Sequence, residues 1–334
     1  MKLKIKVKRF EFFALGIWYA FSYVQICYLY DCTSWYRLLF YLSRVLLSVV
    51  VATMFLLRKR FKDVNYNIFI SFGFFSAIYM ITTIGNDGEI LKCLFLIISL
   101  ITTIIFFGLL NLEEMLFCIK GIVLFFWILL LCQTISMIQH PMGLYNVMLQ
   151  RKYFLLGHVN LTGKILILGI IFQALLERYE NKKLIRTLVY SIWCFWVITV
   201  CKSYISIIGV LLLVVLIIAD ARIVSGKIIL VGNIAASVLL IAVDKLLLNL
   251  NLGVIVLNKI NRVSSLNIRL SIWSQGIRAF EKNIWGYGYI TDYSRWIRYG
   301  NYLPSSAHNL IIDLLMSVGL LGCLEWYCYL FFVT

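Results

Sequence analysis

Apolar stretches of about 20 residues recur along almost the whole chain, and at 1.5 Å of helical rise per residue each matches the hydrocarbon thickness of a bilayer. No soluble core of 334 residues hides this much apolar surface, because 62% of the chain is hydrophobic, 14% is charged and the mean hydropathy is +0.93. Soluble domains carry about one quarter charged residues. Within lipid every backbone polar group must be paired internally, which leaves helices as the spanning element. The stretches predict an all-α, polytopic transmembrane helical bundle with spans near 10–30, 36–57, 66–84, 89–110, 116–139, 161–176, 184–201, 203–220, 228–245 and 308–330. A cleaved leader is excluded as the source of the signal, since the apolar segments continue to the end.

The formal net charge of +16 admits a nucleic-acid reading. The basic residues, however, sit between spans, where the positive-inside bias accounts for them. "MKLKIKVKR", "RKRFK" (58–62), "ERYENKKLIR" (177–186) and "DARIVSGK" (220–227) fall on one side, and "DCTSW" (31–35) and "GNDGE" (85–89) on the other. Both termini are therefore expected in the cytoplasm of a multi-pass protein of the cytoplasmic membrane, with no nucleic-acid partner. The acidic "NLEE" (111–114) runs against the rule. The organisation expected is spans over 1–245, a large extracytoplasmic loop over 246–307 and a last span over 308–330. A second outer loop, 140–160, carries His140 and His158.

The loop 246–307 holds Lys259, Arg262, Arg269, Arg278, Lys282, Arg295 and Arg298 against only Glu281 and Asp292. Such a surface is either simply solvated or an electropositive cleft for an anionic ligand, since guanidinium forks match phosphate oxygens. In "IRLSIWSQGIRAF" (268–280), Leu270, Trp273, Ile277 and Phe280 recur at helical spacing with Arg269 and Arg278 beside them. That pattern predicts an amphipathic helix at the outer membrane interface. In "NIWGYGY" (283–289), Gly286 and Gly288 permit a tight turn and close backbone approach.

His308 opens the last span at its outer end and is followed by Asn309. The pair reads either as a helix cap or as a base whose tautomer Asn309 holds. A histidine beside a basic outer loop suits proton abstraction from a hydroxyl. The nine cysteines lie mostly in apolar runs without zinc spacing and read as small buried hydrophobes. No carboxylate or i,i+4 spacing joins the three histidines, so no metal is expected.

Taken in order, Arg269, Trp273, Phe280, Asn283, Gly286, Gly288, Ala307, His308, Asn309, Gly319 and Gly322 resemble the signature of the O-antigen polymerase and ligase superfamily (Wzy and WaaL types). That signature runs R-x3-W, a phenylalanine, N-x2-G-x-G, A-H-N and then a helix with G-L-x-G. "LLGHVNLTGKIL" (155–166) is similar to the family's G-x-x-N step, matched by Gly157 and Asn160. Where relatives have Ser-Arg, this chain has "CKSYIS" (201–206), which leaves Lys202 to supply the charge.

The resemblance implies a GT-C-like membrane glycosyltransferase that needs no cofactor. Its donor and acceptor glycans would both hang on undecaprenyl pyrophosphate at the outer leaflet. The chain is expected to be a repeat-unit polymerase for capsule, exopolysaccharide or O-antigen, with a ligase or a lipid-linked oligosaccharide flippase as alternatives. Carried over, Arg269 and His308 would be catalytic; Arg278, Lys202, Asn309, Trp273 and Arg262 would bind pyrophosphate or glycan; Gly286, Gly288 and Asn160 would be structural. Membrane lipid, and a flippase and chain-length regulator of the same pathway, are the implied partners. Relatives continue with further spans, so the end at "FFVT" is expected to mark a shortened chain.

Overall fold

A computed structural model of the protein describes residues 2–58, 66–144, 153–201, 203–219, 263–289, 296–297 and 309–333. Over these the chain is almost wholly helical. Three helices, Ser34–Leu57, Ile90–Leu109 and Leu112–Gln139, are long and apolar enough to cross a membrane. Shorter apolar helices cover Ile70–Gly85, Ile185–Val200 and Ser206–Ile218. The expected span 228–245 lies outside the described residues. Two compact units divide the chain, one from Met1–Asp63 with Ile101–Ala221, the other from Val64–Leu100 with Arg222–Thr334.

The first unit holds α1 (Lys2–Tyr23), α2 (Cys27–Cys32), α3 (Ser34–Arg58), the end of α5 (Ile90–Leu109), α6 (Leu112–Gln139), α7 (Val159–Tyr179), α8 (Ile185–Val200) and α9 (Tyr204–Ile218). The span expected at 10–30 is corrected here: the helix ends at Tyr23 and a separate short α2 follows. Its basic beginning, unreadable as membrane-spanning sequence, is already helical. α1 and α6 cross closely because Gly16 sits on the Cys118 carbonyl and Gly121 on the Phe13 carbonyl. In lipid, where burial of apolar surface drives little, such small-residue contacts let helices pack by van der Waals attraction.

"NLEE" finds its explanation at the start of α6. Asn111 caps the helix and Glu114 completes a reciprocal capping box, while Glu113 pairs with Arg9 at 3.0 Å. Acidic groups there satisfy orphan N–H donors and the positive end of the helix dipole. Arg44, inside α3, donates to the Ser22 carbonyl at 2.6 Å and lies over the Phe40 ring.

The 140–160 connection contains an element that the apolar pattern hides. β1 (Tyr153–Phe154) and β2 (Gly157–His158) form a two-residue antiparallel hairpin, with Phe154 and Leu156 fully buried. Buried irregular backbone needs partners. Gln133 of α6 accepts from the Leu156 N–H at 3.0 Å, and Leu155 accepts from Tyr28. Leu155 and Leu156 make the turn, and Gly157, paired with Phe154, has φ +97° and lies against Cys27.

The second unit holds α4 (Tyr66–Gly85), the start of α5, α10 (Val263–Lys282) and α11 (Leu310–Val333). α4 and α11 pack along each other, and Ser71 donates to the Glu325 carboxylate at 2.6 Å.

Candidate functional site around the broken last helix

α10 forms where the amphipathic pattern predicts it, but its buried face is rotated. Ile272, Trp273, Gly276 and Ala279 are buried, while Ile277 is 38% exposed. The expected stripe of large residues overlooked the small ones, which let helices approach. Gly276 lies against Ile312 and Met316 of α11. Around that contact Ile272, Trp273, Ala279, Ile297, Ile312 and Met316 make one core, with Tyr287 and Trp296 at its edge.

α11 is not one helix. At Gly319 the backbone takes φ +68° and ψ −169°, a region essentially closed to residues with a side chain. The break frees the carbonyls that residues 320 and 321 would have bonded. The segment 283–289 inserts its own main chain there. Tyr287 N–H donates to Met316 O and Gly288 N–H to Ser317 O, both at 2.7 Å, and Leu320 N–H donates to Ile284 O at 2.9 Å. Three hydrogen bonds thus replace the missing turn, which apolar surroundings demand.

Glycine is required at both faces of this clasp. Gly286 and Gly288 have φ of +86° and +76°. A Cβ on Gly286 would overlap the Gly319 and Ser317 backbone, and one on Gly288 the backbone of Thr83. Asn283 fixes the turn: its side-chain amide donates to Gly286 O at 2.7 Å, and its carbonyl oxygen accepts from Trp285 N–H. The end of α4 closes the other side. Asn86 donates to Gly286 O at 3.2 Å and Thr83 Oγ1 accepts from Tyr289 N–H at 2.9 Å. Tyr287 donates its hydroxyl to Ala279 O at 2.8 Å, tying the clasp to α10, and burial pushes its phenol up, so it stays a neutral donor. A largely apolar cavity of about 470 Å³ opens beside the break, between Ile78 and Ile81 of α4, Trp285, Val318 and Leu321.

The clasp fixes the direction of the helix pair. The end of α10 leads straight into residues bonded at 316–320, and Gly276, further back, touches 312 and 316. The two helices therefore run side by side in the same direction. Arg269 precedes Gly276 by seven residues, about 10 Å of helix, which carries it toward the beginning of α11. There Asn309, 7% exposed, caps the helix: its side-chain oxygen accepts from Ile311 and Ile312 N–H at 3.1 and 3.3 Å. Arg269 is half-buried, on the flank of the face that meets α11. Arg278 stands nine residues on, half a rotation round the helix, and is exposed. Arg269 and Arg278 thus lie on opposite sides of α10, and Asn309 caps the start of α11. Trp273 is 3% exposed inside the core. Gly157 and the backbone of Asn160 bound β2 and the start of α7. His308, Lys202 and Arg262 lie outside the described residues.

Sequence reasoning missed Thr83, Asn86 and Glu325. The first two follow from no motif, since their partners are some 200 positions away. Glu325 had a signal, a carboxylate within an apolar run, and such a group marks a functional candidate.

A family model described as O-Antigen ligase (Wzy_C) matches residues 166–327, a stretch that contains α10, the clasp and most of α11. Over that stretch this membrane protein is similar to the O-antigen ligase family. No curated protein and no solved structure matches the chain.

Proposed function

We propose that the protein is a polysaccharide repeat-unit polymerase of the cytoplasmic membrane. It would transfer a growing glycan from undecaprenyl pyrophosphate onto the non-reducing end of a second lipid-linked unit at the outer face. The observation that carries this reading is the pairing of α10 with α11. The reading is supported by α10, which carries Arg269, packing against α11, whose start Asn309 caps, so that two parts of the superfamily signature lie on one helix pair.

In this reading His308, one position before the Asn309 cap, takes the proton of the acceptor hydroxyl. The hydroxyl oxygen bonds the donor's anomeric carbon as the bond from that carbon to pyrophosphate breaks. Arg269 holds the departing pyrophosphate, whose growing charge a fixed guanidinium stabilises. Lys202 and Arg262 are the further substrate contacts proposed on the strength of the signature and the basic loop, whereas the buried Trp273 would shape the site through the core. The apolar cavity beside the break suits the carrier's isoprenoid chain. The proposal includes about ten spans, a large outer loop over 246–307, both termini in the cytoplasm, and a flippase and chain-length regulator as pathway partners.

The O-antigen ligase description of the matching family favours one second reading, a ligase that moves finished glycan to another acceptor. Deleting the gene separates the two. A polymerase defect accumulates single repeat units on undecaprenyl pyrophosphate, whereas a ligase defect accumulates long lipid-linked chains. Complementation with His308→Ala or Arg269→Ala at wild-type protein levels is expected to reproduce the single-unit phenotype. Full-length polymer from both variants would overturn the residue roles.

A further inference from the structure

We propose that the clasp of residues 283–289 is a positioning device for the transfer site: it sets the height of α10 against the outer half of α11, and Thr83 of α4 anchors it. The inference rests on the polymerase reading and deepens it by adding positioning residues that touch no substrate.

Each part of the clasp faces a different helix. Toward α11 it presents Tyr287 N–H, Gly288 N–H and Ile284 O, paired with Met316, Ser317 and Leu320. Toward α10 it presents the Tyr287 hydroxyl, bonded to Ala279 O. Toward α4 it presents Tyr289 N–H and Gly286 O, held by Thr83 and Asn86. A sliding of α10 along α11 by one residue would break the Ala279 bond and move Arg269 by about 1.5 Å. Main-chain pairing resists such sliding more strictly than a core of aliphatic side chains, because hydrogen bonds weaken steeply with angle. The broken helix is what makes the pairing available: an unbroken α11 would keep the Met316 and Ser317 carbonyls for itself. A helix break in an apolar segment, costly alone, thus gives the chain a place to lock one helix to two others.

Thr83 is the residue to test, since it lies in α4, is fully buried, and contacts neither Arg269 nor the start of α11. Thr83→Val keeps its shape and removes the acceptor for Tyr289 N–H; Thr83→Ser restores it. The protein in lipid nanodiscs is given undecaprenyl-pyrophosphate-linked repeat units, and kcat and KM are measured per folded molecule. A 1 Å misplacement costs on the order of 100-fold in rate, so a partly loosened clasp is expected to lower kcat about 10-fold. KM for the lipid-linked unit should stay nearly constant and Thr83→Ser should recover the rate. Spin labels at the exposed Ser274 and Leu324 should show a broader distance distribution in Thr83→Val, independently of activity. If Thr83→Val lowers only the amount of folded protein, with kcat per folded molecule and the label distances unchanged, the clasp is merely structural and the inference falls. A wild-type protein inert on lipid-linked units would instead remove the polymerase reading itself, and the positioning role with it.

Discussion

Gly319→Ala is expected to straighten the last helix and expel the clasp. In the wild type two arrangements compete for the same carbonyls: Met316 O and Ser317 O accept from Tyr287 and Gly288, but in a continuous helix they would accept from residues 320 and 321. The clasped form makes three main-chain bonds, including Leu320 N–H to Ile284 O, against two in the continuous helix, so a cost added at residue 319 can tip the balance. Its φ of +68° and ψ of −169° cost a residue with a Cβ about 1–3 kcal/mol. Alanine also favours a helix interior over glycine by about 1 kcal/mol. The sum, about 2–4 kcal/mol, shifts the equilibrium about 30- to 700-fold toward the straight helix at 1.4 kcal/mol per decade. Overlap of the new Cβ with Trp285 and Ile284 adds to it. Amide hydrogen exchange in nanodiscs, read by mass spectrometry, reports the outcome. Peptides covering 283–289 should lose protection while those covering 310–325 keep it. Wild-type protection over 283–289 in a folded Gly319→Ala protein would refute the competition argument.

Asn309→Ala should destabilise the protein by about 1 kcal/mol through loss of the cap, and Asn309→Asp should not, in denaturant titrations. Gly276→Val forces a larger side chain against Ile312 and Met316 and should cost about 1–3 kcal/mol, with increased exchange in α10. Lys120 and Lys182, bonded to Glu180 at 2.7 and 2.6 Å, hold its carboxyl below the ordinary carboxylate value. A depressed folded pKa stabilises above the unfolded glutamate value of about 4.3 and is lost as pH falls through the folded one. Thermal melts of the wild type should therefore drop on acidification below that point, and Glu180→Gln should flatten the drop.

Hydropathy located most helices because it measures what lipid demands of each residue locally. The spans expected at 36–57, 89–110 and 116–139 coincide with α3, α5 and α6 within a few residues. It failed wherever a distant partner decides. The break at Gly319 is unreadable in "SVGLLG" alone, since it persists only because residues 284–288 supply its hydrogen bonds. The β1–β2 hairpin depends likewise on Gln133 and Tyr28. At the site, the G-x-G spacing correctly implied close backbone approach, yet not what is approached. The rotated face of α10 was missed because Gly276 and Ala279 pack by being small, which a scale of hydrophobicity ranks low.

The central claim, transfer of lipid-linked glycan at a site shared by α10 and α11, is tested most directly by reconstitution. Purified protein in vesicles is supplied with undecaprenyl-pyrophosphate-linked repeat units, and the lipid-linked products are resolved by electrophoresis. The account predicts a ladder of two, three and more units from the wild type and single units only from the Arg269→Ala, His308→Ala double variant. Wild-type protein that leaves the units unextended, or a double variant that extends them at the wild-type rate, would contradict it.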